Sequence, residues 1–194
     1  MINILRESAR GIDRIRIDDD FFMNRKLFLT TPIDAFSSSD LIKNLMYLEQ
    51  DSSDEITLYI NSPGGEVTSG LALFDFISTM KAPVKTVCIG TAASMAAIIF
   101  LAGSKRLMFP HTRIMIHDPS YSNNDISGRK PHEIQRELDL LNEAKNVLVE
   151  IIADKTGKRI KDIEKLTAND TFYSAEEAVK FGLATGILKE NCDD

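Results

Sequence analysis

The chain has 194 residues, of which 43% are hydrophobic and 27% are charged, and its formal net charge is −6. This size and composition predict one globular domain over residues 1–194 with a sizeable core, and they exclude a disordered chain. The absence of a basic run argues against a nucleic-acid partner and a polybasic membrane anchor. The two cysteines, Cys88 and Cys192, do not form a disulfide or metal-binding pattern, and the N-terminus lacks a secretory signal pattern. We therefore expect a cytoplasmic protein.

Short apolar runs alternate with helical periodicity along the first two thirds of the chain. Ser37, Ser38 and Ser39 are candidate N-caps of the first helix, and Pro83 separates the second helix from the next strand. The predicted strands lie at 26–29, 55–61, 84–89 and 113–116, and the predicted helices at 41–48, 67–77 and 92–102. This order is typical of helices packed on a largely parallel sheet, so we predict an α/β fold.

Residues 87–103 form an uncharged run that resembles a membrane span in length. The run is interrupted by Gly90, Thr91 and Ser94, and it is slightly shorter than the roughly 18–20 apolar residues that a spanning helix needs. Its first residues continue a β-branched run. A buried strand that leads into a buried helix fits this pattern better, so we predict no membrane segment.

The composition changes after Pro119. Residues 120–130 are polar and typical of a loop or arm, and Pro131 is a plausible first-turn residue of a helix of about twenty residues with Gly157 as its C-cap. This helix has a second apolar stripe, which suggests contacts with more than one neighbour, including another subunit. The chain continues with a capping box at 174–177, a short helix that ends at Gly182, and a last strand at 183–188.

Ser94 is the first candidate for chemistry. It follows a predicted strand and lies in the first turn of the predicted helix, with Ala92 and Ala96 two residues away on either side. Small residues there permit a tight turn that exposes the hydroxyl beside free helix N–H groups, as in the nucleophile elbow of serine hydrolases. The alternative is a packed or capping serine, which is common at helix starts.

A nucleophilic serine needs a base within hydrogen-bond reach, and the chain has three histidines. His117 is best placed because it ends a strand at the sheet edge where Ser94 begins its helix. His111 follows a proline, as in a surface turn, and His132 falls in the first turn of a helix. No histidine pair has metal-ligand spacing. A purely structural role for His117 stays open.

The carboxylate that would orient this imidazole cannot be chosen by counting, because the chain has 29 acidic residues. Asp170 lies in a predicted loop and is plausible. Asp118 is also possible, although adjacent strand residues usually point to opposite faces.

A glycine turn at 62–65, with the sequence SPGG, joins a predicted strand to a helix. Its two glycines would let backbone N–H groups approach a bound carbonyl or phosphate, which indicates an anion hole. A plain turn is equally compatible, because the segment has neither a dinucleotide-binding glycine pattern nor a phosphate-loop lysine.

Four motifs occur in order at 59–65 (YINSPGG), 92–95 (AASM), 115–117 (MIH) and 174–178 (SAEEA). Together they resemble the ClpP family, the proteolytic subunits of ATP-dependent Clp proteases, over about residues 10–188. The resemblance implies a crotonase-like α/β fold of repeated β-β-α units. It further implies an N-terminal segment at 1–19, a protruding handle at about 120–157, and two stacked heptameric rings around a proteolytic chamber.

The same resemblance assigns roles to individual residues. It implies Ser94 as nucleophile, His117 as base and Asp170 as orienting acid, with the N–H groups of Gly65 and Met95 as oxyanion donors. The implied reaction is hydrolysis of peptide bonds in unfolded proteins through an acyl-enzyme. The implied partners are further copies of the chain, a Clp ATPase unfoldase and unfolded polypeptides. No cofactor is expected in this subunit, because the unfoldase uses the ATP.

Some residues depart from the pattern of the ClpP family. Thr171 stands where the family usually has an arginine that helps to lock ring to ring, and the arm at 120–130 is longer and lacks the usual glycine- and glutamine-rich composition. These departures motivate an alternative, a structural or regulatory ring subunit of low activity that needs a paralogue. An acyl-CoA enzyme of the crotonase type is a third reading, which the residues around Ser94 and His117 disfavour.

Overall fold

The computed structural model describes residues 3–8, 11–121 and 127–188. Its strands are β1 (Asn3–Ser8), β2 (Gly11–Arg16), β3 (Lys26–Leu29), β4 (Ile56–Ser62), β5 (Val84–Ala93), β6 (Lys105–Met108), β7 (Arg113–Ile116), β8 (Thr171–Ser174) and β9 (Gly186–Ile187). Its helices are α1 (Ile17–Met23), α2 (Ala35–Asp51), α3 (Val67–Thr79), α4 (Met95–Ala102), α5 (Pro131–Thr156), α6 (Ile160–Thr167) and α7 (Ala175–Phe181). The alternation of strands and helices from β3 to α4 confirms the predicted α/β fold.

A mostly parallel sheet carries its strands in the order β3-β4-β5-β6-β9. β5 is long enough for two successive partners, since residues 85–88 pair with β6 and residues 91–93 pair with β7. β8 runs antiparallel to β7, which places Thr171 opposite Ile116. The ends of β4, β5 and β7 and the start of β8 therefore meet at one edge of the sheet, where ligands of open α/β sheets usually bind.

The predicted start of the third helix at residue 92 is wrong. Residues 91–93 continue β5, because they pair with residues 113–115 of β7, and α4 begins only at Met95. The small residues that favoured a helix are held in the strand by a partner further along the chain. The end of β4 reaches the same place, with Ser62 opposite Ala92.

α4 lies at the centre of the core, with all eight of its residues buried. It contacts α3 and α5, which bury their own apolar residues against it. The uncharged run at 87–103 is thus a strand followed by a buried helix, as predicted, although the strand is buried only in part, with Ile89 exposed. In the described ranges, each helix is too short or too polar to cross a membrane.

The first helix of the sheet region begins before the serines that were predicted to cap it. Asp34 is the N-cap of α2: its carboxylate accepts a hydrogen bond from the Ser37 N–H at 2.7 Å, and its own N–H donates to the Ser37 hydroxyl at 2.9 Å. Ser37 is therefore the third helical residue of a capping box. These hydrogen bonds hold the pKa of the Asp34 carboxyl below its usual value.

α5 begins at Pro131 and ends before Gly157, which has a left-handed φ of 68°. Both ends agree with the prediction, although the helix has 26 residues instead of about twenty. Its buried residues start only at Leu148, whereas Leu138 and Leu140 are 48% and 53% exposed. The first half of α5 thus lies largely outside the core, and its assignment to a handle stays a prediction. Residues 122–126 of the predicted arm lie outside the described residues.

Several elements went unpredicted. β1 and β2 form an antiparallel hairpin in the N-terminal segment, and α1, β6, α6 and β8 are also additions. The last strand is shorter than the predicted 183–188, because the N–H groups of Leu183 and Ala184 donate to the carbonyl of Ala178 in the middle of α7. The capping box at Ser174 is confirmed, with its hydroxyl accepting from the Glu177 N–H at 3.3 Å.

Candidate active site

Ser94 lies between the end of β5 and the start of α4. Its φ of 54° and ψ of −125° place it in a region that non-glycine residues rarely adopt. Its N–H donates to the Met115 carbonyl at 2.8 Å, and its carbonyl accepts from the Ala97 N–H at 2.9 Å. Such a conformation costs about 1–3 kcal/mol and persists only where neighbours hold it. The sharp strand-to-helix turn is present as predicted, but Ser94 is the N-cap of α4 and not a first-turn residue.

His117 follows β7 and reaches the Ser94 hydroxyl, with 2.7 Å between Nε2 and Oγ. The two side chains meet because β5 and β7 are parallel neighbours that end side by side. In the tautomer with the proton on Nδ1, the hydroxyl donates to Nε2, which is the arrangement that a general base requires. His111 and His132 are exposed, and in the described structure neither is hydrogen-bonded to Ser94.

Asp170 supplies the carboxylate beside the His117 ring. Its Oδ1 lies 3.4 Å from Nδ1, which is longer than the roughly 2.7–3.2 Å of an N–H···O hydrogen bond, and its side chain is 63% exposed. Asp118, the other acid considered, forms an ion pair with Lys145 instead, with 2.6 Å between Oδ2 and Nζ. The geometry therefore favours Asp170 as the carboxylate partner of the imidazole.

Gly64 packs directly against the elbow, which is the strand-to-helix turn at residues 93–95. Its φ is +94°, and a Cβ at this position would lie 2.6 Å from the Ala93 carbonyl oxygen and 2.8 Å from the Ser94 Cβ. Only glycine fits such a contact without a shift of the backbone. The Ser62 hydroxyl supports the turn by donating to the Thr31 carbonyl at 2.7 Å and accepting from the Gly64 N–H at 3.2 Å. The glycine turn and the elbow thus form one packed unit.

Gly65 and Met95 present N–H groups at this junction. The Ile33 N–H donates to the Gly64 carbonyl at 2.9 Å and the Glu66 N–H donates to the Ile33 carbonyl at 2.8 Å, which is a parallel bridge around Gly65. In that pattern the Gly65 N–H points away from Ile33, and the strand order places the β5 elbow on that other side. The Met95 N–H is the first of α4 and lacks an intrahelical acceptor. This arrangement favours an anion hole over a plain turn.

A small apolar depression of about 20 Å³ opens beside Ser94 and His117. The aliphatic part of its wall comprises Val67, Ile98, Ile116, Leu148 and Ile152. A wider groove of about 520 Å³ shares Val67 and Pro119 with it and continues to Tyr121 and α5. The depression and the groove are therefore continuous beside Ser94 and His117.

Two other chemistries, a reactive thiol and a metal site, have no support in the described residues. Cys88 is buried, and burial raises the pKa of its thiol, which keeps it protonated and unreactive. Within the described ranges, no cluster of three His, Cys, Asp or Glu side chains is suited to hold a metal ion. Among the groups at this edge of the sheet, the Ser94 hydroxyl is therefore the best-supported candidate nucleophile.

Two contributors to the site were missed by the sequence reasoning. Ile33 orients the glycine turn through its backbone, and Lys145 binds the Asp118 carboxylate. Both act across a long separation in the chain, and neither stands in a recognisable motif. With 23 basic and 29 acidic residues, charge complementarity alone gives no signal for such a pair.

Fold and site together define a class, namely α/β proteins with serine, histidine and carboxylate side chains at the carboxyl edge of a parallel sheet. The sequence model of the Clp protease family matches residues 9–191. Two curated relatives, from Synechococcus sp. strains CC9902 and CC9605, are each called ATP-dependent Clp protease proteolytic subunit 3. Each is 41% identical over 169 residues, which cover 86% of this chain and 83% of the relative. The chain belongs to the Clp protease family, a family of peptidases.

Proposed function

We propose that this chain is a proteolytic subunit of a Clp-type protease and acts as a serine endopeptidase. The observation that carries the proposal is the 2.7 Å contact between Ser94 Oγ and His117 Nε2 at a strained elbow. A serine that only packs in the core or caps a helix needs neither a strained backbone nor a hydrogen bond to an imidazole. Family membership supports peptide bonds as the substrate class.

In the proposed reaction, the Ser94 oxygen attacks the carbonyl carbon of the peptide bond while His117 Nε2 accepts the hydroxyl proton. The N–H groups of Gly65 and Met95 bind the oxyanion, each contributing about 3–4 kcal/mol in the transition state. The carbon–nitrogen bond then breaks, and His117 returns the proton to the leaving amine. Water attacks the acyl-enzyme with His117 again as base, which releases a carboxylate and restores Ser94.

The substrate in this proposal is an unfolded polypeptide that binds in the groove as an added strand. The groove runs from the Ser94 depression towards Tyr121, which suits an extended chain. The aliphatic walls of the depression favour a small apolar side chain next to the scissile bond, because burial of apolar surface contributes about 25 cal/mol per Å².

We also propose that the chain assembles into two stacked heptameric rings, homomeric or mixed with a paralogue. Exposed Leu138, Leu140 and Val147 on the projecting helix α5 support a contact between subunits there. A Clp ATPase unfoldase would deliver substrate and use the ATP, so the proposed chemistry needs no cofactor in this subunit. We assign it to the cytoplasm, where the free thiol of Cys88 would stay reduced.

Labelling with a fluorophosphonate probe tests the serine mechanism directly, because the probe reacts only with activated serine hydroxyls. We expect one probe per subunit in the intact mass, located at Ser94 by peptide mapping, and no labelling of Ser94→Ala. Labelling of another residue, or equal labelling of both proteins, would contradict the assignment.

A second candidate function is a ring subunit of low activity that needs a paralogue. The observation that favours it is the 3.4 Å gap between His117 Nδ1 and the exposed Asp170 carboxylate. The same probe separates the two functions. Labelling only after a ClpP-type paralogue is added would select the second candidate.

Asp170→Asn is expected to lower kcat for peptide hydrolysis by about 10- to 100-fold. This loss is smaller than the about 10⁴-fold loss typical of a buried triad aspartate, because the Asp170 contact is long and exposed. Initial rates with a fluorogenic peptide measure the effect, and Asp75→Asn, an exposed acid on α3, is the control. An unchanged kcat would show that Asp170 does not orient His117.

A further inference from the structure

Asp118 connects three segments around the proposed active site. It directly follows His117, and its carboxylate Oδ2 lies 2.6 Å from the Nζ of Lys145 in the middle of α5. Its N–H donates to the carbonyl of Thr167, the last residue of α6, at 2.7 Å. The end of β7, the middle of α5 and the end of α6 are therefore joined at one residue.

The ion pair is partly shielded from water, since the side chains of Asp118 and Lys145 are 27% and 30% exposed. The second carboxylate oxygen of Asp118, Oδ1, is buried and has no hydrogen-bond donor in the described structure. A partly buried carboxylate with an unbonded oxygen lowers the stability of the folded state unless a cation compensates its charge. Removal of the cation leaves that charge uncompensated. The conformation around Asp118 thus depends on Lys145.

The position of Asp170 depends on the same connection. Thr167 lies three residues before Asp170. The Thr171 hydroxyl donates to the Leu166 carbonyl at 2.7 Å, which closes residues 166–171 into a compact loop, the Asp170 loop. A loop held at Thr167 by Asp118 carries Asp170 with it. Because Asp170 Oδ1 is already 3.4 Å from the imidazole, a small displacement of the loop decides whether the two groups interact.

We propose that Asp118 and Lys145 form a positioning pair that holds the Asp170 loop against His117 and ties both to α5. Neither side chain lines the depression or the groove, so the pair acts through His117 and Asp170 and not on the substrate. The pair is therefore expected to affect turnover more than substrate binding. This inference rests on the serine mechanism proposed above.

The experiment compares Asp118→Asn, Lys145→Met and the double variant with Asp162→Asn. The control removes the ion pair between Asp162 and Arg159, which lies at the other end of α6. The rate of fluorophosphonate labelling, kcat and KM are measured for each protein. We expect each of the first three variants to lose about 10- to 100-fold in labelling rate and kcat, the range that a displacement of about 1 Å produces, with KM little changed. The control should behave as wild type.

Two further results separate a positioning pair from general destabilisation. The double variant should lose no more than the worse single variant, because the two residues act as one unit. Lys145→Arg keeps the cation and is expected to retain most of the activity. Losses that multiply in the double variant, or an Arg variant as impaired as Lys145→Met, would overturn the proposal.

The proposal and the proposed function fail in different ways. Normal labelling rates in both Asp118→Asn and Lys145→Met would overturn the positioning pair while leaving the serine mechanism intact. Wild-type protein that is never labelled, alone or with a paralogue, would remove the serine mechanism itself.

Discussion

Replacement of Ser94 by alanine is expected to reduce peptide hydrolysis by about 10⁴-fold or more. The substitution removes the oxygen that would bond to the acyl group, whereas the backbone N–H groups of Gly65 and Met95 stay in place. Substrate affinity should therefore change little. The measurement is kcat with a fluorogenic peptide, together with the affinity of the variant for the same peptide from fluorescence anisotropy.

Two comparisons make this result specific. His117→Ala should cause a loss of similar size, and the double variant should be no worse, because serine and base act as one unit. Ser104→Ala, which removes a hydroxyl that donates to the Val84 carbonyl at 3.0 Å outside the site, should keep normal activity. A Ser94→Ala protein that retains a tenth of the wild-type rate would rule out Ser94 as the nucleophile.

Gly64→Ala is expected to lower activity by about 10²- to 10³-fold, comparable to the loss of one oxyanion donor. The added Cβ would lie 2.6 Å from the Ala93 carbonyl oxygen and 2.8 Å from the Ser94 Cβ, so the elbow or the glycine turn must move. Either movement would separate the Ser94 oxygen from the N–H groups that are proposed to bind the oxyanion. The labelling rate and kcat measure this effect, and thermal melting records any loss of stability.

Gly157→Ala is the matched control for this substitution. Gly157 also has a positive φ, +68°, but a Cβ there would meet no atom within 4 Å. Alanine therefore brings the backbone strain of about 1–2 kcal/mol without the collision. If Gly64→Ala and Gly157→Ala lower activity equally, the contact between the glycine turn and the elbow has no functional role.

The sequence predicted those parts of the fold that depend on local signals. Pro131 at the first position of α5, Gly157 at its C-cap and the capping box at Ser174 are examples, because each residue type acts on its own helix end. The extension of β5 through Ala93 could not be predicted in this way. Ala92 and Ala93 favour a helix locally, and pairing with β7 and with the end of β4 overrides that preference. β6 was missed because a four-residue strand that begins with Lys105 and Arg106 has no apolar alternation.

The candidate site shows the same division. Ser94 and the glycine turn could be found from strand-to-helix spacing, and His117 from its place at a strand end. Asp170 had no local signal among 29 acidic residues and was assigned through the resemblance to the ClpP family. Lys145 was not found at all, since its contact with Asp118 depends on how α5 packs beside the end of β7.

The burial of α4 on every face limits which residues around the site can change among related sequences. Each residue behind Ser94 already touches a neighbour, so a substitution there must be matched by changes in the core. Asp170, by contrast, stands on an exposed loop whose supports are a few polar contacts. Under the proposed mechanism, substitutions around Asp170 can therefore change the reaction rate at little cost to folding, whereas the residues around Ser94 are constrained by the core.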